Sequence, residues 1–457
     1  MFLHDKMQQT FYESMSIEQR EQFHLQIGRE LWRFYMEEKK DDNLFEVVTH
    51  LNLVLHYLTE EEKRDVIELN WLAGERAKSR AAFASALAYF KVATELLPSD
   101  CWFNPLYYEC AYKVTVGLGE AQYLNQQFDK AERTFDELLK HVHSIEEKVN
   151  VYNLKMMLYT HVHQVEKAVD AVLEGLSLFD LKIKRNPRKW DVAKELLLTK
   201  YALRQKKGRH LLDLPPVSDQ KTTLLMHMLI NTGTPTFLVN QYLATILMLK
   251  GLRLTLKHGD LDLSALVYNN YALILSAGLQ DYDNSYYFGS LGIKHAEKYQ
   301  DTSIKARAYF IFASFVNHWK RPLHRNLEYL YKSKQLSIES GNLHLAGASC
   351  SFIGMILFSI GNHLGDVKEK IKRERAFVKK NEYMLSSDYL GETLDWIDTL
   401  STPESQVEWQ FAEITDDVST KIIHYTLRLQ MAYLFDHESV ALSMIDILEP
   451  LVDETLV

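Results

Sequence analysis

Small and apolar residues recur along the chain at the spacing of packed α-helices, most clearly between residues 69 and 98. Positions where two antiparallel helices would touch carry small or aromatic side chains, namely Gly74, Ala77, Ala86, Phe90 and Ala93. Pro98 follows the second of these helices, where it would end it. Small residues let two helix backbones approach to roughly 8 to 10 Å. The pattern therefore predicts a helical hairpin.

The same pattern recurs further along the chain. Gly119 and Ala131 follow Gly74 and Ala86 after 45 residues, and Phe135 stands where Phe90 stood. Ala168 follows Ala131 after another 37 residues and marks a looser third unit. This spacing resembles the tetratricopeptide repeat. Because one such hairpin cannot bury its own apolar faces, the hairpins are expected to stack on one another.

The second half of the chain has a period of its own. The turn-like strings KHGD, KYQD, ESGN and KNEY begin at residues 257, 298, 339 and 380, each 41 residues after the last. Two helices of about 15 residues with their turns fit such a period. The predicted fold class is therefore all-α, a tetratricopeptide-like superhelix or α-solenoid. Residues 181–220 interrupt the periods with proline, glycine and many basic residues, and predict a connecting segment.

Residues 2–32, FLHDKMQQTFYESMSIEQREQFHLQIGRELW, contain a further signal. They resemble the end of the winged-helix part of bacterial multidomain signalling proteins, which join a serine/threonine-protein-kinase-like domain, a STAND-type AAA ATPase, helical repeats and often a sensor histidine kinase. The positions that carry the match are His4, Asp5, Gln8, Gln9, Tyr12, His24, Ile27, Gly28, Arg29 and Leu31. The resemblance continues through residues 44–52, 69–90 and 117–139 and weakens after about residue 385.

The resemblance and the periods together predict four regions. Residues 1–35 would be the end of the winged-helix subdomain, 36–180 the first repeats, 181–220 the basic connection and 221–457 the second repeats. Within the first region we expect two short helices, the second capped by Ser16. A match that begins at the first residues also leads us to expect a fragment or a split gene product.

Charge and composition narrow the classes of partner. The chain has 52 basic and 61 acidic residues and a net charge of -9, which gives no electrostatic reason to expect nucleic acid. Its three cysteines are too few for a disulfide framework. The longest apolar run, residues 242–249, is too short to span a membrane. These features predict a cytoplasmic protein with reduced thiols and no membrane contact.

Sequence motifs for catalysis are missing from the chain. It contains no GxxxxGK[ST] phosphate loop, no kinase HRD or DFG motif and no glycine-rich nucleotide box of a histidine kinase. Four histidines occur as two pairs, namely His141, His143, His161 and His163. Side chains two residues apart on a helix point about 200° apart, so we interpret these pairs as polar rims and expect no metal or cofactor.

Two groups of residues are candidates for binding surfaces. The first, a possible groove for a peptide, comprises Tyr268, Tyr271, Tyr282, Tyr286 and Tyr287. The alternative for these tyrosines is a core between repeats, which helical spacing favours. The second, a possible patch for an anionic partner such as an acidic neighbouring domain, comprises Lys182, Lys184, Arg185, Arg188, Lys189, Lys206, Lys207 and Arg209, with Trp190 beside it. The alternative for the patch is ordinary solvated charge.

Loss of the rest of a winged helix would expose apolar surface at the N-terminus. The side chains concerned are Phe2, Leu3, Phe11, Tyr12, Phe23 and Ile27. Such a patch predicts self-association through this end, relieved by deletion of residues 1–35 with the repeats still folded.

The functional prediction follows mainly from the resemblance. It implies a non-catalytic regulatory segment whose repeats receive a signal, a protein or a small molecule, and restrain the ATPase or kinase domains until it arrives. The alternative is a free-standing scaffold that recruits proteins through its concave groove. A third interpretation, an enzyme with an unrecognised site, has no motif in its favour. Reading frames that adjoin this one would discriminate between the first two.

Overall fold

The computed structural model describes residues 12–38, 41–80, 82–162, 164–206, 211–381, 384–401 and 418–452. Helices make up the regular structure of these ranges, which contain no strand, only one isolated bridge between Pro216 and Asp260. The all-α prediction is therefore confirmed. The helices pack as successive hairpins, as expected of a tetratricopeptide-like repeat protein. The chain divides into two compact units, Met1–Leu181 and Lys182–Val457.

The first unit contains eight helices within its described residues. They are α1 (Ile17–Glu38), α2 (Asp41–Leu51), α3 (Glu60–Ser79), α4 (Phe83–Glu95), α5 (Tyr108–Leu124), α6 (Phe128–His141), α7 (Ile145–His161) and α8 (Val165–Ser177). Helices α3 and α4, α5 and α6, and α7 and α8 pair as consecutive hairpins. The three predicted repeat units therefore coincide with three hairpins.

Side-chain caps fix where several of these helices begin. The Thr59 hydroxyl accepts from the backbone N–H of Glu62 at 3.2 Å, and the Glu62 carboxylate accepts from the N–H of Thr59 at 2.8 Å. Ser144 and Glu147 make the same reciprocal pair before α7. The Ser16 hydroxyl accepts from the N–H of Gln19 at 3.2 Å, so the predicted cap is confirmed. Each cap satisfies donors that a helix N-terminus leaves free.

The second unit continues the helical order. Its described helices are α9 (Lys189–Gln205), α10 (Gln220–Asn231), α11 (Gly233–Val239), α12 (Gln241–His258), α13 (Ser264–Leu273), α14 (Tyr282–Lys298), α15 (Thr302–Phe315), α16 (Asn326–Glu339), α17 (Leu343–Ser359), α18 (Leu364–Lys380), α19 (Met384–Leu400), α20 (Val418–Leu434) and α21 (Glu438–Val452). The four strings of the 41-residue period fall at the C-terminal ends of α12, α14, α16 and α18.

Buried polar side chains join several helices of the second unit. They donate hydrogen bonds to backbone carbonyls of a neighbouring helix, in the pairs Asn269 with Ala308, Ser285 with Ala272, Asn326 with Ala313 and Ser333 with Ala306. Their donor–acceptor distances run from 2.7 to 3.1 Å. Because these side chains are almost fully buried, each hydrogen bond replaces water that the group gave up on folding.

The turn after α12 shows why one glycine is needed. Gly259 has φ +119°, and a Cβ built there would lie 2.2 Å from the carbonyl oxygen of Pro215. The next residue, Asp260, donates its N–H to that oxygen at 2.7 Å, and its carboxylate lies 2.5 Å from the Nε2 atom of buried His295. Only glycine combines this backbone conformation with so close an approach.

Two sequence predictions differ from the structure. Residues 12–14 are also helical, and α1 follows them as a helix of 22 residues that runs to Glu38, beyond the predicted limit at residue 35. Residues 189–205, predicted as part of a connection, form the 17-residue helix α9. Leu196, Ala202 and Leu203 on α9 pack against the core of the second unit, so the segment is part of the fold. The assignment of the four regions to functional roles stays a prediction.

Candidate functional site

The first unit is held together by an aromatic ring laid against glycines of two helices. A Cβ built on Gly74 of α3 would lie 2.7 Å from the Phe90 ring, and one built on Gly117 of α5 would lie 2.4 Å from it. Gly119 of α5 meets the Phe135 ring in the same way, at 2.4 Å. Both rings are almost fully buried. Helix backbones can therefore approach the rings only where the side chain is a hydrogen atom.

The remaining predicted packing residues also lie inside the first unit. Ala86, Ala93, Ala131 and Ala168 are completely buried on α4, α6 and α8. Pro98 is half-buried three residues after the end of α4, and its carbonyl accepts from the N–H of Cys101 at 3.0 Å. Gly117 has the same role as Gly74, yet sequence analysis missed it because it lies two residues before the repeat position of Gly119.

Two of the predicted groove tyrosines belong to the core. Tyr268 is completely buried and Tyr271 nearly so, which corrects the groove interpretation for both. The Tyr268 hydroxyl donates to the carbonyl of Leu211 at 3.3 Å, and Tyr271 packs edge-on against Phe288 with ring centroids 4.8 Å apart. Burial raises the pKa of Tyr271 to about 12. Both were candidates because helical spacing does not say which face is covered.

The other three groove tyrosines lie on α14 nearer the surface. Tyr282 stacks on Trp319 with ring centroids 4.4 Å apart, and the Tyr286 hydroxyl accepts from Arg321 Nε at 3.1 Å. Tyr287 is 53% exposed. These residues form a small aromatic and cationic surface, and the groove interpretation for them stays a prediction.

The predicted basic patch lies at the start of the second unit. Lys182, Lys184, Arg188 and Lys189 are exposed, whereas Arg185 and Lys206 are half-buried. Lys184 pairs with Asp191 at 2.7 Å, and the Asp191 carboxylate also accepts from the N–H of Arg188 at 2.9 Å. These contacts hold the pKa of Asp191 below its usual range. Lys207 and Arg209 lie outside the described residues.

Helix α9, next to this patch, has two faces of different character. On its inner face, Glu195 lies 3.0 Å from Lys250 and 2.5 Å from Arg253, both on α12, and Thr199 is fully buried. On its outer face, large apolar side chains are exposed, namely Trp190 (84%), Leu197 (69%), Tyr201 (62%) and Leu198 (42%). Sequence analysis noted Trp190 alone, although the 7- and 11-residue spacings to Leu197 and Tyr201 are legible in the sequence.

The paired histidines make aromatic contacts. The His141 ring stacks on Trp102 with centroids 4.9 Å apart, and His143 stacks on Tyr108 at 5.7 Å. His161 meets Tyr123 edge-on at 5.4 Å, and His163 lies outside the described residues. In the described part of the chain, no three His, Cys, Asp or Glu side chains converge as metal ligands.

The cysteines are held as thiols. Burial raises the pKa of Cys110 to about 11, and burial also raises the pKa values of Cys101 and Cys350. A nucleophilic or metal-binding cysteine needs a thiolate, which these surroundings disfavour. Across the described residues, no helix is both long enough and apolar enough to cross a bilayer.

Helix α1 contributes to the core of the first unit and also to its surface. Leu25 and Tyr35 are buried against apolar residues of α2 such as Leu51, and Arg29 pairs with Glu62 at 2.7 Å. Phe23 remains 45% exposed beside an open cleft of about 780 Å³, and Ile27 is half-buried. Residues 1–11 lie outside the described residues, and the predicted self-association stays a prediction. Removal of residues 1–35 would take buried side chains from this core, so we no longer expect the shortened unit to fold unaffected.

Comparison with known proteins gives weak similarities only. No family model matches the chain. It is 20% identical over 412 residues to hybrid signal transduction histidine kinase G of Dictyostelium discoideum, which covers 79% of this chain and 12% of that protein. The chain thus spans about an eighth of the length of this relative.

Two solved structures share helical architecture with the chain at low scores. One is a signal transduction ATPase with numerous domains (STAND) with a tetratricopeptide repeat sensor from Pyrococcus horikoshii, with a TM-score of 0.40, 14% identity, and coverage of 95% of this chain and 56% of that one. The other is Naa15/Naa10 bound to HypK-THB, with a TM-score of 0.25, 13% identity, and coverage of 93% and 76%. At these scores the likenesses carry no argument about function.

Proposed function

We propose that the chain is a non-catalytic, protein-binding helical-repeat segment of a signal-transduction protein, which receives a signal and restrains an associated ATPase or kinase. The observation that carries the proposal is the packing of the repeats. Stacked hairpins closed by Phe90 and Phe135 on glycines form a scaffold whose outer helix faces stay available for partners. The relative is a histidine kinase by name and is far longer than this chain, which supports a role as one segment of a signalling system.

The proposed mechanism needs two surfaces. One must receive the signal and the other must contact the regulated domain, and a ligand can shift such an equilibrium only through different affinities for the two states. Exposed apolar side chains are present in both units, for example Phe23 on α1 and Trp190 on α9. The resemblance in residues 12–31 favours α1 as the end that adjoins an ATPase domain.

The test is a turnover measurement in trans. The purified chain is added to an ATPase or kinase encoded by an adjoining reading frame, and ATP turnover is followed at increasing chain concentration. We expect turnover to fall to a plateau, whereas an unrelated helical-repeat protein at equal concentration should have no effect. Binding without a change in turnover would favour the scaffold interpretation. Absence of both binding and restraint would contradict the proposal.

The non-catalytic part of the proposal is tested separately by calorimetry. ATP titrated into the chain alone should give no binding heat, because every phosphate-cradling motif is missing from the sequence. Micromolar affinity for ATP would overturn this part of the proposal.

A further inference from the structure

The outer face of α9 carries the spacing through which one helix packs along another. Trp190, Lys194, Leu197, Tyr201 and Arg204 follow one another at intervals of 4, 3, 4 and 3 residues, and all five are exposed. At about 100° per residue, Trp190, Leu197 and Tyr201 lie within about 40° of one another on the helix surface. This 4-3 alternation is the seam of helix-on-helix packing.

The helix is held in place by its opposite face. Glu195 pairs with Lys250 and Arg253 of α12, and Leu196 and Leu203 pack on the core of the second unit. The outer seam is therefore presented on a fixed element, and ordering it for a partner would cost little conformational entropy.

Charge gives the outer face its chemical preference. Residues 182–206 contain nine Lys and Arg residues against two acids, a net charge of +7 in a chain whose net charge is -9. Lys189, Lys194, Lys200 and Arg204 flank or lie within the seam, are exposed, and have no acidic partner among the described residues. The surface thus offers apolar contact in the centre and unpaired cations at its edges.

We propose that the outer face of α9 is the docking surface for an acidic amphipathic helix of a partner protein. Apolar side chains of that helix would cover Trp190, Leu197 and Tyr201, and its carboxylates would face Lys194 and Arg204. Aromatic anchors with Arg nearby are the residues that dominate the energy of protein interfaces. Opposite charges at the edges of a helix pair select the partner and its orientation.

Two other classes of partner fit this face less well. A helix that lies on a membrane carries its basic residues on the polar face. On α9, Lys194 and Arg204 lie within about 40° of Trp190, next to the exposed apolar side chains. A nucleic acid would engage the cations and stack on Trp190, but it would leave Leu197 and Leu198 without apolar cover. The inference rests on the proposed protein-binding function but does not depend on restraint of an ATPase.

The experiment uses the full chain and three synthetic peptides. The first peptide is a helix with leucine at heptad seam positions and glutamate at the flanks, the second has lysine in place of each glutamate, and the third is a scrambled form of the first. Binding is followed by fluorescence anisotropy of the labelled peptide. We expect the acidic peptide to bind and the lysine and scrambled peptides not to bind.

Two variants of the seam test the contacts. The double variant Leu197→Ser, Tyr201→Ser should lower affinity for the acidic peptide by about tenfold or more. The charge-reversed variant Lys194→Glu, Arg204→Glu should lose the acidic peptide and gain the lysine peptide, a swap that a merely structural defect would not produce. All four side chains are exposed, and circular dichroism checks that the variants keep their helicity.

Matched controls lie on other helices of the second unit. Tyr433→Ser removes an aromatic side chain that is 80% exposed, and Lys370→Glu reverses an exposed charge, and neither should alter binding. Equal affinity for the acidic and scrambled peptides, or equal loss in the controls, would overturn the proposal. The proposal would also be overturned if the chain bound phosphatidylserine vesicles or duplex RNA but not the acidic peptide, and if the seam variant lost that binding. Self-association of the chain through this seam, measured by sedimentation, would assign the face to a second copy and also overturn it.

The two proposals fail in different ways. Peptide binding to the chain alone reports on the α9 seam, whereas turnover of the added ATPase or kinase reports on restraint. Loss of turnover control with intact peptide binding would contradict only the function proposed above.

Discussion

Two kinds of contact join helices in this chain, and the second unit uses both, since a Cβ built on Gly289 of α14 would lie 2.8 Å from the Phe312 ring. In the first unit, helices meet where the Phe90 and Phe135 rings lie against glycines. In the second, several helices meet where buried Asn and Ser side chains donate to neighbouring carbonyls. The stability of a ring packed on a glycine depends on how well the ring fills the space between the helices. The stability of a buried hydrogen bond depends on the presence of both its donor and its acceptor. Substitutions at these two kinds of contact should therefore destabilise the fold for different reasons.

The largest expected effect tests the contact between a buried ring and glycines. Phe90→Ala would remove a fully buried ring that contacts α3 and α5, which leaves a cavity between glycines that cannot fill it. We expect the free energy of unfolding of the first unit to fall by about 3 to 5 kcal/mol. Chemical denaturation followed by circular dichroism measures it.

The control for this change is Phe103→Ala in the same unit. Phe103 is 82% exposed, so its removal should change stability little. Equal losses for the two variants would show that the ring between the glycines is not the main contact of the first unit.

The next largest effect tests the buried hydrogen bonds between helices of the second unit. Asn326 is fully buried, donates to the carbonyl of Ala313 at 2.7 Å and accepts from Asn317 at 2.6 Å. Asn326→Ala leaves the Asn317 amide without its partner, and a buried polar group left unpaired costs about 1 to 3 kcal/mol. Thermal unfolding should show the loss in the second unit.

Asn381→Ala provides the matched control in the same unit. Among the described residues, the Asn381 amide donates only to the carbonyl of Phe377, within its own helix terminus. We therefore expect a smaller loss than for Asn326→Ala. An equal loss in the control would show that the hydrogen bonds of Asn326 between helices stabilise the unit no more than a bond within one helix.

The smallest effect concerns a surface ion pair and depends on pH. Arg29 donates to Glu62, and this hydrogen bond, with the Thr59 backbone, holds the pKa of Glu62 below its usual range. Because the folded-state pKa is lowered, the pair stabilises the fold above the ordinary glutamate range and loses that effect as pH falls through the lowered pKa. Arg29→Gln should cost about 0.2 to 1 kcal/mol at neutral pH, since the Arg29 side chain is 43% exposed.

Denaturation at neutral and at acid pH measures this dependence. The difference between Arg29→Gln and the unchanged chain should disappear once Glu62 is protonated. Arg33→Gln serves as the control, because within the described part of the chain Arg33 pairs only with Glu30 one turn away, and both side chains are well exposed. A difference that persists at acid pH would show that Arg29 acts through packing of its aliphatic stem.

Much of the fold could be predicted from the sequence because repeats make small residues recur. Gly74, Ala86 and Ala131 stand out by their spacing, and in the structure Gly74 lies against the Phe90 ring while both alanines are fully buried. Gly117 was missed because the partner of Phe90 on α5 is displaced by two residues from the repeat. Residue spacing identifies a helix and the face that carries its small residues. The packing of that helix on its neighbour decides which glycine contacts the Phe90 ring.

The candidate surfaces were harder to predict, because helical periodicity does not show which face is covered. Tyr268 and Tyr271 have the spacing expected of side chains that line a groove, yet both are buried in the core. Residues 189–205 were assigned to a connection because basic residues and nearby proline obscured a 17-residue helix. Its inner leucines pack on the core, and only the packed structure separates them from the exposed Leu197 and Leu198.

The position of Phe90 between Gly74 and Gly117 also sets the size of the smallest exchangeable module. Its ring touches α3, which precedes it in the same hairpin, and α5, which opens the next one. Lys78 on α3 reinforces this link through Glu120 on α5, at 2.5 Å. A graft of residues 60–95 into another repeat protein would carry the ring without its second glycine. A graft that extends to residue 124 would carry both glycines, and its new neighbour would then have to supply a ring for Gly119, as Phe135 does in this chain.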